Sequence, residues 1–280
     1  MAQNLQAVKK RIKTSQSIFQ IAKAMEMIAA SKIRKAEVAV ERYKPYSSRV
    51  TYIIQKILAD KEIMDNSPLV KAREGKKLVF IISPDKGLCG GLVVNLFKKL
   101  YSSISKDDYV VPVGKKAISN AIRTNINIAA TFNMGTTFPK YENIFPLKKI
   151  TEDLFNLQEV GKVSIIYTNF KNMLIQEAVE DIILPIKRDE KFVNNSIEYI
   201  MEPSTKQVLS DMIPYYLEVE FYNALMNAYA SEQAARMTAM RNAKDNAEEI
   251  SASLTNIYNK SRQEKITNEI LDLANGQQGM

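Results

Sequence analysis

The chain has 280 residues, 46% of them apolar and 25% charged, enough for a buried core in a protein of ordinary solubility. Its net charge of +8 favours an acidic partner of some kind. It has no histidine and a single cysteine, Cys89, which excludes imidazole general-base chemistry, cysteine-cluster zinc sites and any internal disulfide. No apolar run approaches the length of a bilayer span. The first thirty residues carry charges throughout, with no apolar signal core, so the opening segment reads as structure.

Glycine and proline divide the chain into three zones, placed at 1–60, 61–205 and 206–280. Neither residue occurs from Met1 to Lys44 or from Tyr215 to Ala274, while seven of the nine glycines lie between. In the first zone an apolar stripe runs through Leu5, Val8, Ile12, Ser15, Ile18, Ala22, Met25, Ala29, Ile33, Ala36, Val40 and Tyr43. Its steps of three and four predict the seam of a coiled coil. Pro45 is expected to kink the helix or fall at a bend, with the pattern resuming from Val50 to Leu58.

The central zone alternates strand and helix signals. Strands are predicted at 77–83, 109–114, 126–132 and 162–170, and helices at 91–104, 115–123 and 146–158. An apolar run, AVEDIILPI, covers 178–186, and 187–205 reads as a loop with a short strand. This order predicts a small Rossmann-like α/β sheet layered with helices. The stretch SPDKGLCGGL (83–92) joins the first strand to a helix. Its glycines fit a tight turn, and free N–H groups at a helix start can hold an anion, but it is neither a Walker loop nor a GxGxxG fingerprint. Cys89 has no histidine to activate it as a nucleophile, whereas Asp85 and Lys86 fit an exposed binding pair.

In the last zone a second stripe passes through Leu217, Phe221, Ala224, Ala228, Ser231, Ala235, Ala239, Ala243, Ala247, Ile250, Leu254 and Ile257. The four-residue steps around Ala235 to Ala247 predict a local relaxation of the supercoil. Further on, Ile266, Ile270 and Leu273 continue an apolar stripe, with Arg262 and Glu269 on one flank and Gln263 and Thr267 on the other. Residues 1–58 hold 12 Lys/Arg against 3 Asp/Glu, a balance of +9, and residues 206–280 hold 7 against 10, a balance of −3. Opposite balances favour antiparallel pairing of the two end helices. At this level three classes stay open: a mechanical coiled-coil element, a basic coiled-coil scaffold for nucleic acid, and a small α/β nucleotide enzyme.

Three segments together resemble the gamma subunit family of F-type rotary ATP synthases: RIKTSQSIFQIAKAMEMIAASKIRKAE (11–37), DKGLCGG (85–91) and RMTAMRNAKDNAEEISASLTNIYNKSRQEKITNEILDLANG (236–276). Ala22, Val93 and Gln277 depart from the residues most usual in that family. The resemblance implies a long antiparallel coiled coil of the end helices plus a central α/β domain. The chain would be a non-catalytic rotor, one copy per complex, carrying torque between an ion-driven membrane ring and three catalytic sites. It implies as partners the alpha and beta subunits of the catalytic ring, the epsilon subunit and the membrane c-ring, with no nucleic acid, cofactor, metal or catalytic residue. Partner-binding roles are implied for Lys23, Met25, Lys32, Arg34, Lys35, Lys86, Cys89, Arg262, Gln263, Thr267 and Glu269, with Thr267 and Glu269 coupling to the first helix near Met25. The start of the chain, without a transit peptide, is read as that of a bacterial protein, peripheral on the cytoplasmic side of the inner membrane.

Overall fold

The computed structural model describes residues 5–58, 74–156, 159–187 and 200–277. The chain divides into two compact units, Met1–Ala29 with Arg236–Met280, and Ala30–Ala235. Two helices contribute to both: α1, Leu5–Ile57, and α5, Thr205–Gln277. Between them in sequence come β1 (Lys76–Ile82), α2 (Leu92–Ser103), β2 (Tyr109–Val113), α3 (Lys115–Arg123), a 3-10 turn (Tyr141–Ile144), α4 (Phe145–Asn156), β3 (Val160–Phe170) and β4 (Gln176–Leu184).

In the larger unit the four strands lie in the order β2-β1-β3-β4. β2, β1 and β3 are parallel, and β4 returns antiparallel to β3. Side chains alternate across the strands. Leu78, Phe80 and Ile82 of β1 face one layer, built from the end of α1, α4 and the first half of α5, where Ile54, Ile57, Leu147, Leu217, Phe221 and Leu225 are buried. Val79 and Ile81 face the other layer, where Leu96 and Leu100 of α2 and Ala117 of α3 cover them. This is the helix–sheet–helix arrangement that strands buried on both faces require.

One predicted strand is largely absent, and both long helices run through a proline. Pro45 does not end α1, which runs through it. Pro45 is exposed, so the carbonyl it leaves without an intrahelical donor can take water, while Ala36, Val50 and Ile54 stay buried on either side. The predicted strand at 126–132 reduces to isolated bridges at Ile128 and Phe132. Residues 110 and 112 of β2 face this segment: Val110 N–H donates to Asn127 O at 2.9 Å, but Pro112 can only accept, from Phe132 N at 3.1 Å. The missing proline donor interrupts the ladder where a fifth strand would form. Helix α5 opens at Ser204, whose Oγ accepts from Gln207 N at 3.2 Å, and continues through Pro214. The expected loop and strand at 187–205 falls mostly outside the described residues.

The smaller unit is a pair of antiparallel helices. Ser15 Oγ donates to Ala247 O at 2.7 Å, and Glu26 meets Arg241 Nε at 2.9 Å and Lys244 Nζ at 3.0 Å. As numbers rise along α1, their partners on α5 fall. Both seams keep a strict seven-residue repeat. On α1, Val8, Ser15, Ala22 and Ala29 are buried, with Leu5, Ile12, Phe19 and Glu26 half-buried. On α5, Met240, Ala247 and Leu254 are buried, with Lys244, Ser251, Tyr258 and Ser261 half-buried.

Candidate functional site

This register shifts the phase of both expected stripes. Between Ser15 and Ala29 the inner face of α1 takes Phe19 and Glu26, with Ile18 48% exposed on the flank. On α5 the seam takes Ser251 and Tyr258, leaving Ile250 and Ile257 exposed. Ala239 and Ala243, on the four-residue steps, are half-buried beside the seven-residue line. That line runs Met237, Met240, Lys244, Ala247 without a break, so the expected relaxation has no place there. The cause is size: Ser15, Ala22, Ala29 and Ala247 keep the helix axes close, and branched isoleucines fit better beside such a seam than in it. Ile18 and Ile250 instead line one open groove with Arg11, Thr14 and Asn246. Ile21, Met27 and Ile28 add further exposed apolar surface to α1.

The far end of α5 also departs from the expectation. Ile266 and Ile270 are exposed at 48% and 60%, so they do not grip the sister helix. Arg262, Gln263, Thr267 and Glu269 are exposed as well, with Lys265 and Glu269 forming a pair at 3.6 Å along the helix. Thr267 and Glu269 do not come near Met25. Ala247 lies against Ser15, Met25 is ten residues on in one direction, and Thr267 is twenty residues on in the other. The antiparallel register separates Thr267 from Met25 by about 45 Å along the axis. Met25 is half-buried beside the seam, and Lys23 is exposed, its ammonium 5.9 Å from the Phe19 ring centre.

Glu26 was not singled out from the sequence, since a carboxylate is expected outside a seam. It is the one acid among the described inward positions of the helix pair, and its side chain is 15% exposed. Hydrogen bonds from Arg241 and then Lys244 hold its carboxyl below the usual range.

The larger unit holds the remaining candidates. Lys32 is tied down, its Nζ donating to Thr136 O at 2.8 Å, while Arg34 and Lys35 are exposed. In the turn after β1, Ser83 Oγ accepts from Ala117 N at 2.7 Å, and Asp85 accepts from Lys115 N at 2.9 Å and Gly135 N at 3.1 Å. Asp85 thus takes the first N–H of α3 with the chain's own carboxylate, a place an anionic ligand would otherwise compete for. Gly114, outside the quoted motif, makes this possible: it has φ +97°, and a Cβ there would lie 2.0 Å from Ser83 O.

Cys89 is buried, so it cannot itself meet a partner; Lys86 and Leu88 are exposed side chains of the turn. Leu88 has a left-handed φ of +63° and is 60% exposed. An exposed apolar residue held in a strained conformation is a contact candidate that no sequence pattern marks. Among the described residues no helix is long and apolar enough to cross a membrane, and no cluster of acids and Cys89 could hold a metal ion.

Comparison with known proteins matches the ATP synthase family over residues 4–280. The ATP synthase gamma chain of Dehalococcoides mccartyi (strain CBDB1) is 40% identical over 281 residues, covering 98% of each chain. That of Christiangramia forsetii is 34% identical, covering 99% of each. Among solved structures, the rotor of the Euglena gracilis mitochondrial ATP synthase superposes with a TM-score of 0.67 at 16% identity, covering 94% of this chain and 98% of that one. The central stalk of the Tetrahymena thermophila mitochondrial enzyme gives 0.60 at 24% identity, covering 80% and 99%.

Proposed function

The chain belongs to the family of ATP synthase gamma chains, non-catalytic central-stalk subunits, and on that premise we propose that its paired end helices form the coiled-coil axle that carries torque between a membrane ion-driven ring and three catalytic sites. The observation that carries this reading is the helix pair of the smaller unit. Its seam is satisfied by its own chain, and yet its outside bears a belt of exposed isoleucines and exposed polar groups. An element whose seam is already filled, but which keeps apolar surface outside, has that surface for a partner.

The mechanism is differential contact. A two-helix axle has different residues on each side, so three identical catalytic subunits around it each meet a different face. Each face stabilises a different conformation and hence a different nucleotide affinity. Turning the axle moves each subunit through those states by population shift. We assign Ile18, Lys23 and Ile250 to the middle of the axle surface, and Arg262, Gln263, Thr267 and Glu269 to its far end, facing the alpha and beta subunits. Arg34 and Lys35 fit acidic loops of the beta subunits. Lys86 and Leu88 take the role that the resemblance gave to Lys86 and Cys89, near the epsilon subunit. The chain is then peripheral, held through its complex to the cytoplasmic side of a bacterial inner membrane by the c-ring.

Tagged chain expressed in its own cell should purify with a three-fold ATPase ring at one copy per ring. In that complex Arg262→Glu should lower coupled ATP synthesis several-fold while assembly stays near wild type. Equal loss of both removes Arg262 from the torque path, and purification without a ring removes the rotor reading.

A further inference from the structure

We propose that Glu220 is a proton-controlled latch inside the larger unit: with its carboxyl neutral, the part of α1 that follows Pro45 stays seated on α5, and with it ionised that part comes loose. The latch itself stands without the rotor reading; its consequence for coupling rests on it.

A cavity of about 480 Å³ lies between the two helices, walled by Ser47, Ser48 and Thr51 of α1 and by Val219, Glu220 and Asn223 of α5. Glu220 is half-buried on this wall. Two residues earlier, Glu218 is fully satisfied: one oxygen accepts from Tyr141 Oη at 2.6 Å and the other from Lys148 Nζ at 2.6 Å. Glu220 has neither kind of partner, and among the described residues no donor reaches its carboxyl. A shielded polar group left in that state is satisfied from the cavity, by water or a proton.

Its surroundings decide in favour of the proton. On the α1 side stand the phenols of Tyr43 and Tyr52 and, exposed at the rim, the ammonium of Lys44, which makes no ion pair with it. Tyr167 faces it from β3, Asp181 from β4 and Tyr216 from α5 itself. The charge that bears on Glu220 is that of Asp181, whose Oδ2 accepts from Tyr167 Oη at 2.6 Å. A neutral carboxyl is at rest in this place. An ionised one is a second negative charge in a poorly hydrated site with no cation at hand, so the proton is held to about pH 7.

Pro45 supplies the place to give. It has no N–H for the Glu41 carbonyl, so α1 lacks one rung just before the residues that wall the cavity. Ser47 does not tie the stretch to α5 either, since its Oγ turns back to Lys44 O at 3.0 Å. Opening here lets water reach the Glu220 carboxylate and removes the cost of its charge.

Hydrogen exchange on the full chain reads the latch amide by amide. After correction for the pH dependence of exchange chemistry itself, residues 47–52 should lose protection by about tenfold between pH 6 and pH 8. That is the change expected when a carboxyl of pKa about 7 returns on opening to an ordinary 4.5. Glu220→Gln cannot ionise and should show equal protection at both pH values. Asp181→Asn removes the like charge and should move the loss to lower pH. Equal protection at pH 6 and pH 8 in the unsubstituted chain, or a loss that survives Glu220→Gln, overturns the latch. In the purified complex the ratio of ATP synthesis to hydrolysis should fall over the same interval by about twofold more than it does with Glu220→Gln. Exchange that follows Glu220 while the two complexes couple alike supports the latch and overturns its consequence for the rotor.

Discussion

The two units of this chain are held together in different ways. The larger one is fixed by depth: Phe80, Leu78, Ile54 and Phe221 are fully buried between sheet and helices, and the Phe80 and Phe221 rings meet edge-on at 4.8 Å. No sliding motion preserves such a core, because each side chain fills a space of its own. The helix pair has no comparable depth. Small residues line its seam, and a hydroxyl, a carboxylate and two cations bond across it. One unit is specified by volume and the other by a few polar contacts. A rotating element fits the second description, since most of its surface is left for neighbours.

The sharpest break in this contrast comes from the larger unit. Phe221→Ala should cost about 3–5 kcal/mol there, read by chemical denaturation followed through a probe on the sheet. No single truncation in the helix pair should come close.

Next comes Glu220, also in the larger unit. Burial first, and then the nearby Asp181 carboxylate, push its pKa up to about 7 from an ordinary 4.5. Between those two values the folded chain keeps a proton that the unfolded chain has lost. Stability should therefore fall as pH rises through that window and level off above it. Glu220→Gln should remove this slope, gaining about 3 kcal/mol above neutral pH and nothing at acid pH, as measured by thermal melts across pH. A slope unchanged by the substitution would contradict the assignment.

In the helix pair, Ser15→Ala removes one buried hydrogen bond to the Ala247 carbonyl and should cost about 1 kcal/mol. The smallest effect belongs to Ile18→Ser. In the core of the larger unit this change would cost several kcal/mol, but at an exposed flank the isolated chain should shift by less than about 0.5 kcal/mol. The same substitution should weaken assembly with the catalytic ring, which separates a partner surface from a folding surface.

The sequence was legible where a single period governed. Both long helices, the parallel strands β1 and β3, and the short helix Lys115–Arg123 follow from local pattern. Phase was not legible. Ile18 and Phe19 are equally apolar neighbours, and only the fit of two helices decides which turns inward. At Ile250 and Ser251 hydrophobicity points the wrong way, because close packing favours the smaller side chain. The shortened strand at 126–132 was hidden in a residue of the neighbouring strand, Pro112. The pairing of Glu26 with Arg241 spans 215 residues, beyond the reach of any local rule. Cys89 was visible as a residue of the turn, but its burial, and the exposure of Leu88 beside it, depend on a backbone conformation that a leucine rarely adopts.

The central claim is that this chain turns. Leu174 is 85% exposed at the hairpin between β3 and β4, so Leu174→Cys gives a single accessible attachment point on the larger unit while Cys89 stays buried. With the catalytic ring fixed to glass and a bead on that cysteine, the bead should rotate in one direction while ATP is hydrolysed and stop when ATP is exhausted. A bead that only fluctuates about one angle, in complexes hydrolysing ATP at full rate, would contradict the account.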